Sequence, residues 1–277
     1  MTYNEFQSRL NARIFGQDLN YEILLTVLKN PERYIGLFRI TNAKTKLIQN
    51  LTQSCEIKFG DFIEEVLTAY IEQMGYENLD KNIGMDEDNN RLNADQFFIK
   101  DNVIYLIEQK IRDDHDSTKK RGQYANLIKK IRVIKQQFPQ RQIKVCMWFS
   151  DESLKKNKKY YLEQIANNTD NEVQISLFYG RELFENLFSR VDIWDELIAH
   201  LQQNKRQRSA EILSVPDFDT SDEIKTALLR VKAEYPKLIK NLLSNKPQFI
   251  ELRAELFLQI EIYKDFYERY YFTRRLR

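Results

Sequence analysis

The spacing of apolar and polar positions changes several times along the chain, and each change marks an element. From Lys58 to Met74, apolar residues Phe59, Phe62, Ile63, Val66, Leu67, Tyr70 and Met74 recur at helical spacing. Gly75 is placed to end that helix. The first fifty residues also read as helical, around Ile23, Leu24, Leu25, Val27 and Leu28. The run DEDNNR then marks a loop. Two strands follow, Asp95 to Ile99 and Val103 to Lys110, joined through Lys100-Asp101-Asn102. Tyr124 to Phe138 reads as a helix that Pro139 ends, Ile143 to Phe149 as a strand, Leu154 to Ala166 as a helix and Val173 to Tyr179 as a strand. Gly180 opens a last helix around Leu183, Phe184, Leu187 and Phe188. This order predicts an α/β (α+β) fold class, a central mixed β-sheet flanked by helices. From about Asn204 the run NKRQRSAEILSVPDFDTSDE reads as a linker, and the tail to Arg277 reads as helical. The expected division is an N-terminal helical region 1–53, a core 54–205 and a C-terminal helical region 206–277.

Composition narrows the class. Hydrophobic residues make up 42% of the 277, enough for a sizeable core. Charged residues reach 30% with a net of only +2, which excludes a uniformly basic coat but leaves a local DNA footprint open. Cys55 and Cys146 lie far apart in apolar surroundings, so free thiols in a reducing compartment are expected rather than a disulfide. No run approaches a membrane span, and MTYNEFQSRL lacks the pattern of a signal peptide. A cytoplasmic protein with no membrane partner is the expectation. No zinc spacing, P-loop or dinucleotide fingerprint is present in the sequence.

The candidate chemistry sits on the two strands. Asp and Asn tolerate the positive φ of a type I′ turn, so Asp101-Asn102 reads as a two-residue hairpin loop. Lys100 then pairs with Val103, and counting back along both strands sets Asp95 opposite Glu108. Glu108 and Lys110 share a face because side chains alternate along a strand. Cross-strand neighbours share it too, so Asp95, Glu108 and Lys110 converge at one end of the hairpin. A one-residue slip would scatter them. Two converging carboxylates repel each other unless a positive charge sits between them. A hard divalent cation answers that need, and Mg²⁺ suits a site with few protein ligands and several waters. A lysine beside it can hold or deprotonate an attacking water, which outlines phosphodiester hydrolysis. The plainer alternative is a buried Glu108–Lys110 ion pair with a stray Asp95.

Asp95 followed by Glu108-Gln109-Lys110 resembles the motif of the PD-(D/E)xK nucleases, with Ala94 where that motif has its Pro. The run EQKIRDDHDSTKKRGQ resembles type II restriction endonucleases in particular, as does the strand-Gly-helix segment VQISLFYGRELFENL. The likeness spans roughly residues 55 to 200. It implies a restriction-endonuclease-like core and a Mg²⁺-dependent, sequence-specific double-stranded DNA endonuclease. It further implies a homodimer and a cognate DNA methyltransferase as genetic partner. The alternatives are a repair or structure-specific nuclease on the same core, or a non-cleaving DNA-binding module. By this resemblance Asp95 and Glu108 hold the metal with the backbone carbonyl of Gln109, and Lys110 positions or activates water. A further acid comes from the preceding helix, Glu64 or Glu65, with Glu64 ranked first. His115, Ser117, Thr118, Lys119, Lys120, Arg121 and Gln123, read as a loop leading into a helix, are the candidate DNA contacts.

Overall fold

A computed structural model describes residues 1–15, 19–111, 117–170, 172–208 and 217–257. In chain order the elements are α1 (Tyr3–Phe15), α2 (Leu19–Lys29), a 3₁₀ turn (Pro31–Arg33), α3 (Ala43–Gln73), β1 (Glu77–Asn78), β2 (Asn82–Met85), β3 (Arg91–Asn93), β4 (Gln96–Lys100) and β5 (Val103–Lys110). There follow α4 (Ser117–Gln137), β6 (Gln142–Phe149), α5 (Lys158–Ala166), β7 (Val173–Tyr179), α6 (Glu182–Asn186), α7 (Val191–Arg208), α8 (Asp222–Glu234), α9 (Pro236–Leu242) and α10 (Pro247–Leu256). They fall into two compact units, one of residues 1–7 and 60–205, the other of residues 8–59 and 206–277.

The first unit holds the mixed sheet, in the order β1-β4-β5-β6-β7. β1, β4 and β5 run antiparallel, while β5, β6 and β7 run parallel. Parallel neighbours need long crossovers, and α4 and α5 supply them. β5 is therefore central, and Ile104 to Gln109 are all buried. Its even positions Ile104 and Leu106 join a core with Val145, Met147 and Phe149 of β6 and with Tyr124, Leu127, Ile131 and Ile134 of α4. Its odd positions face the other way. There Tyr105 stacks on Phe98 at 5.0 Å, and Gln96 and Gln109 reach α3. Gly180, just after β7, takes φ +47° and accepts the Trp148 indole N–H at 3.0 Å.

The second unit is helical. Leu24, Val27 and Leu28 of α2 share one apolar cluster with Ile224, Leu228 and Val231 of α8, Ile239 of α9, and Phe249 and Leu252 of α10. Ser221 caps α8 by accepting the Ile224 N–H at 3.3 Å.

Several boundaries differ from the pattern reading, each for a local reason. The helix expected from Lys58 begins at Ala43, because Asn42 caps it and Leu47 and Leu51 continue its buried face. Ser117–Gln123 are helical rather than loop: they form the first two turns of α4, where Lys, Arg and Gln are good helix formers and one Gly122 is tolerated. The DEDNNR run caps a small β2–β3 hairpin that the sequence reading missed. Ile83 and Leu92 bury its inner side, and Asp86 accepts backbone N–H groups from Asp88 and Asn90. α7 runs on through Arg208, so the polar run from Asn204 starts as helix.

The β4–β5 hairpin has the expected register, Lys100 with Val103 through Gln96 with Ile107. Asp101 and Asn102 both take positive φ, 49° and 65°. A β-branched residue at position 102 meets the left-handed penalty in full, whereas glycine escapes it. Asn102→Val should lower stability by about 1–2 kcal/mol, with Asn102→Gly close to neutral, in urea unfolding. Equal midpoints for the two variants would mean that the turn does not hold the register.

Candidate active site

Asp95 lies one residue before β4, where the hairpin has just ended. Its Oδ2 accepts the backbone N–H of Gln109 at 2.7 Å, so the carboxylate replaces the next rung of the ladder. The N–H and C=O of one residue in an extended strand turn to the same edge. The Gln109 carbonyl therefore faces the Asp95 edge as well. The Gln109 side chain points elsewhere, its Nε2 lying 3.5 Å from the Gly60 carbonyl of α3.

Glu108 and Lys110 follow Ile104 and Leu106 on the α4 face. Lys110 Nζ lies 3.5 Å from Asp95 Oδ2 and 3.4 Å from Glu108 Oε2, bridging the two carboxylates. Burial raises the Glu108 pKa, Asp95 raises it further, and Lys110 and Lys130 pull it down without cancelling the rise. Burial alone would pull Lys110 down, but Asp95 and Glu108 outweigh it and hold the ammonium above its usual range.

Glu64 sits on α3 within the electrostatic reach of Asp95. Burial pushes its carboxyl up and Asp95 adds to the rise, while Lys81 opposes both through a 2.5 Å contact. The reason it lies there is Gln96, the fully buried first residue of β4. Gln96 Nε2 donates to the Glu64 carbonyl at 2.7 Å, and its Oε1 accepts from Thr68 Oγ1 at 2.8 Å. One amide thus ties a turn of α3 to the start of the strand that carries Asp95.

The candidate DNA contacts among the described residues all lie on the first two turns of α4. Thr118, Lys119 and Arg121 are exposed on the opening turns of α4. Lys120 lies over the Tyr160 ring at 4.8 Å, and Gln123 Oε1 accepts from Tyr161 OH at 3.0 Å. Ser117 begins α4, and His115 falls outside the described residues. The basic tail with Arg274, Arg275 and Arg277 falls outside them too.

Lys130 is the residue that the sequence reading missed. It lies on α4 at only 5% exposure, and its ammonium pairs with Glu108 Oε1. The signal was present, since Leu127, Lys130, Ile131 and Ile134 follow the i, i+3, i+4, i+7 spacing of a buried stripe. A lysine inside such a stripe needs a buried partner. Removing one member of a buried pair strands the other charge at a cost of about 3–5 kcal/mol. Lys130→Met should therefore destabilise the fold by that order in urea unfolding, and adding Glu108→Gln should recover most of the loss. A Lys130→Met protein as stable as the parent would rule out a buried pair.

Comparison with known families assigns the chain. No curated protein matches the chain. The family model described as type II restriction endonuclease, HinfI, matches residues 2–86 and 77–205. That is well over half of the sequence and includes every residue of the Asp95, Glu108 and Lys110 cluster. The chain belongs to the HinfI family of type II restriction endonucleases, hydrolases that cleave DNA.

Proposed function

We propose that the protein is a Mg²⁺-dependent endonuclease that cuts double-stranded DNA at a specific short site, working as a homodimer beside a protecting methyltransferase. The observation that carries the reading is the Lys110 ammonium held between Asp95 Oδ2 and Glu108 Oε2 at the end of a hairpin. Around it the donor set is all hard oxygen: two carboxylates and the Gln109 carbonyl on the same edge. Among the described residues no group of three or more His, Cys, Asp or Glu side chains is assembled for a metal. Two carboxylates, a carbonyl and water suit Mg²⁺, which keeps much of its hydration shell, better than Zn²⁺ or Ca²⁺.

Asp95, Glu108 and the Gln109 carbonyl would hold the ion. When bound, it would lower the pKa of water and offset charge on the scissile phosphate. Lys110 donates hydrogen bonds to the attacking water and to the phosphate oxygens as negative charge builds there. Glu64, whose charge is felt by Asp95, would orient water on the α3 side. Thr118, Lys119, Lys120 and Arg121 on the opening turns of α4 would contact the DNA backbone. A two-fold protein matches a palindromic site, which is the reason for proposing a homodimer.

Purified protein incubated with phage DNA should give discrete bands with Mg²⁺ and none with chelator. Asp95→Ala and Lys110→Ala should each abolish the bands while far-UV circular dichroism stays unchanged. Cleavage that survives both substitutions would sink the site assignment, and a smear would argue for a non-specific nuclease. Glu64→Gln should slow cutting about tenfold or more, and Glu65→Gln should leave it nearly intact. The reverse order would move the α3 acid to Glu65.

A further inference from the structure

Asp95 has a backbone segment on each side of it. On one edge its carboxylate takes the Gln109 N–H of β5. On the other runs the segment between β1 and β2. There the Leu79 N–H donates to the Phe97 carbonyl and the Ala94 N–H donates to the Lys81 carbonyl, both at 2.8 Å. Asn82 then pairs with Asn93 in the β2–β3 hairpin. Lys81 is thus fixed by its backbone beside the residue that precedes Asp95. Its ammonium reaches α3 and pairs with Glu64 Oε1 at 2.5 Å. Lys110 comes to Asp95 from the α4 face, so the two ammoniums approach this edge from opposite sides. Lys81 is also open to a ligand: its side chain is 35% exposed, against 7% for Lys130. An ion pair of that exposure adds little to stability.

The charges around it leave room for one ion. Glu64 feels Asp61 and Asp95, and Glu108 feels Asp95. These four acids stand against Lys81, Lys110 and Lys130. Glu65 lies at another angle around α3, and the exposed Asp80 turns its Oδ1 to the Asn82 N–H. Four acids and three lysines leave a single negative charge. One divalent ion and the single charge of a phosphodiester bring the cluster to neutrality, whereas a second ion would leave it doubly positive.

We propose that Lys81 is a second cationic catalytic residue that takes the place of a second metal ion, so that the reaction needs one divalent ion per chain. Two-metal centres stabilise the attacking and the departing oxygen of an in-line displacement from opposite sides. Here the oxygen of water bonds to phosphorus on the Lys110 side as the bond from phosphorus to one sugar oxygen breaks on the Lys81 side. Negative charge grows on the departing oxygen, and the Lys81 ammonium donates a hydrogen bond to it. The attacking water releases a proton to solvent, and the departing oxygen takes one from the water that Glu64 orients. Lys81 therefore stays charged throughout. The proposal rests on the endonuclease reading and deepens it by naming the group that stands in for a second ion.

The test uses the full chain and a short duplex spanning a mapped cut site. Mn²⁺ binding to wild-type protein with duplex, read by electron paramagnetic resonance, should saturate at one ion per chain. Lys81→Ala should melt at the wild-type temperature and bind the duplex in chelator nearly as tightly. Its cutting rate at saturating Mg²⁺ and DNA should fall about a hundredfold or more. With sulfur in place of the departing oxygen, the better leaving group needs no such help, and variant and wild type should cut at nearly equal rates. Any count other than one ion per chain in the wild type overturns the proposal. So does a Lys81→Ala protein that cuts the normal duplex like wild type. A loss that lies in duplex binding, or that persists on the sulfur duplex, overturns it too, since Lys81 would then act as a DNA contact or through Glu64. All of these leave the endonuclease reading in place. Wild-type protein that neither binds nor cuts phage DNA refutes that reading and the role of Lys81 with it.

Discussion

The pairing of β4 with β5 depends on Asp101 and Asn102 both accepting a left-handed backbone, at φ 49° and 65°. Most residues lose about 1–2 kcal/mol there, whereas Asp and Asn recover part of it through local hydrogen bonds. That tolerance makes a two-residue loop possible, and the loop sets the register from Lys100–Val103 to Gln96–Ile107. Everything at the far end inherits it. Asp95 meets the Gln109 N–H, Lys110 reaches both acids, and Gln96 finds the Glu64 carbonyl. Shifting the pairing by one residue would turn Glu108 and Lys110 to the α3 face and leave Asp95 without its N–H donor.

Convergence of that kind is unfavourable until it is neutralised. Each carboxylate here has an ammonium close by: Lys110 at Asp95, Lys130 at Glu108, Lys81 at Glu64. They come from three elements, β5, α4 and the segment before β2. The site is assembled from elements distant in sequence, and its charge balance ties them together. Buried pairs contribute little net stability, since desolvation offsets most of the Coulomb gain, but they penalise any arrangement that separates them. The cluster therefore specifies one packing of α4 on the sheet more than it strengthens the fold.

This also explains what could be read from the residues alone. Strand alternation and hairpin arithmetic are local, so the Asp95, Glu108 and Lys110 convergence was accessible from the stretch of sequence that contains it. The mixed sheet flanked by helices was accessible too, since its strands are short apolar runs between amphipathic segments. Partners that arrive through helix packing were not. Lys130 and Lys81 depend on how α4 and the β2–β3 hairpin dock, and no spacing rule encodes the distance from residue 108 to residue 130. The ranking of Glu64 over Glu65 had little to rest on for the same reason, because what brings the Glu64 charge near Asp95 is the docking of α3 on the sheet. The start of α4 was misread because KKRGQ looks polar enough for a loop, although most of its residues favour helix.

The two lysines at Glu108 divide their work, and burial explains how. Lys130 is enclosed by α4 and β5 with its side chain 7% exposed, and Glu108 Oε1 answers its charge. It cannot leave without stranding that carboxylate. Lys110 is more open, at 17%, and it is shared between two oxygens at 3.4 and 3.5 Å, near the limit for such contacts. A shared, long-range ammonium can turn toward a new oxygen while losing little. On the proposed reading, Lys130 keeps Glu108 in place while Lys110 is free to engage water and phosphate. The same carboxylate can then serve in the fold through one oxygen and in the reaction through the other.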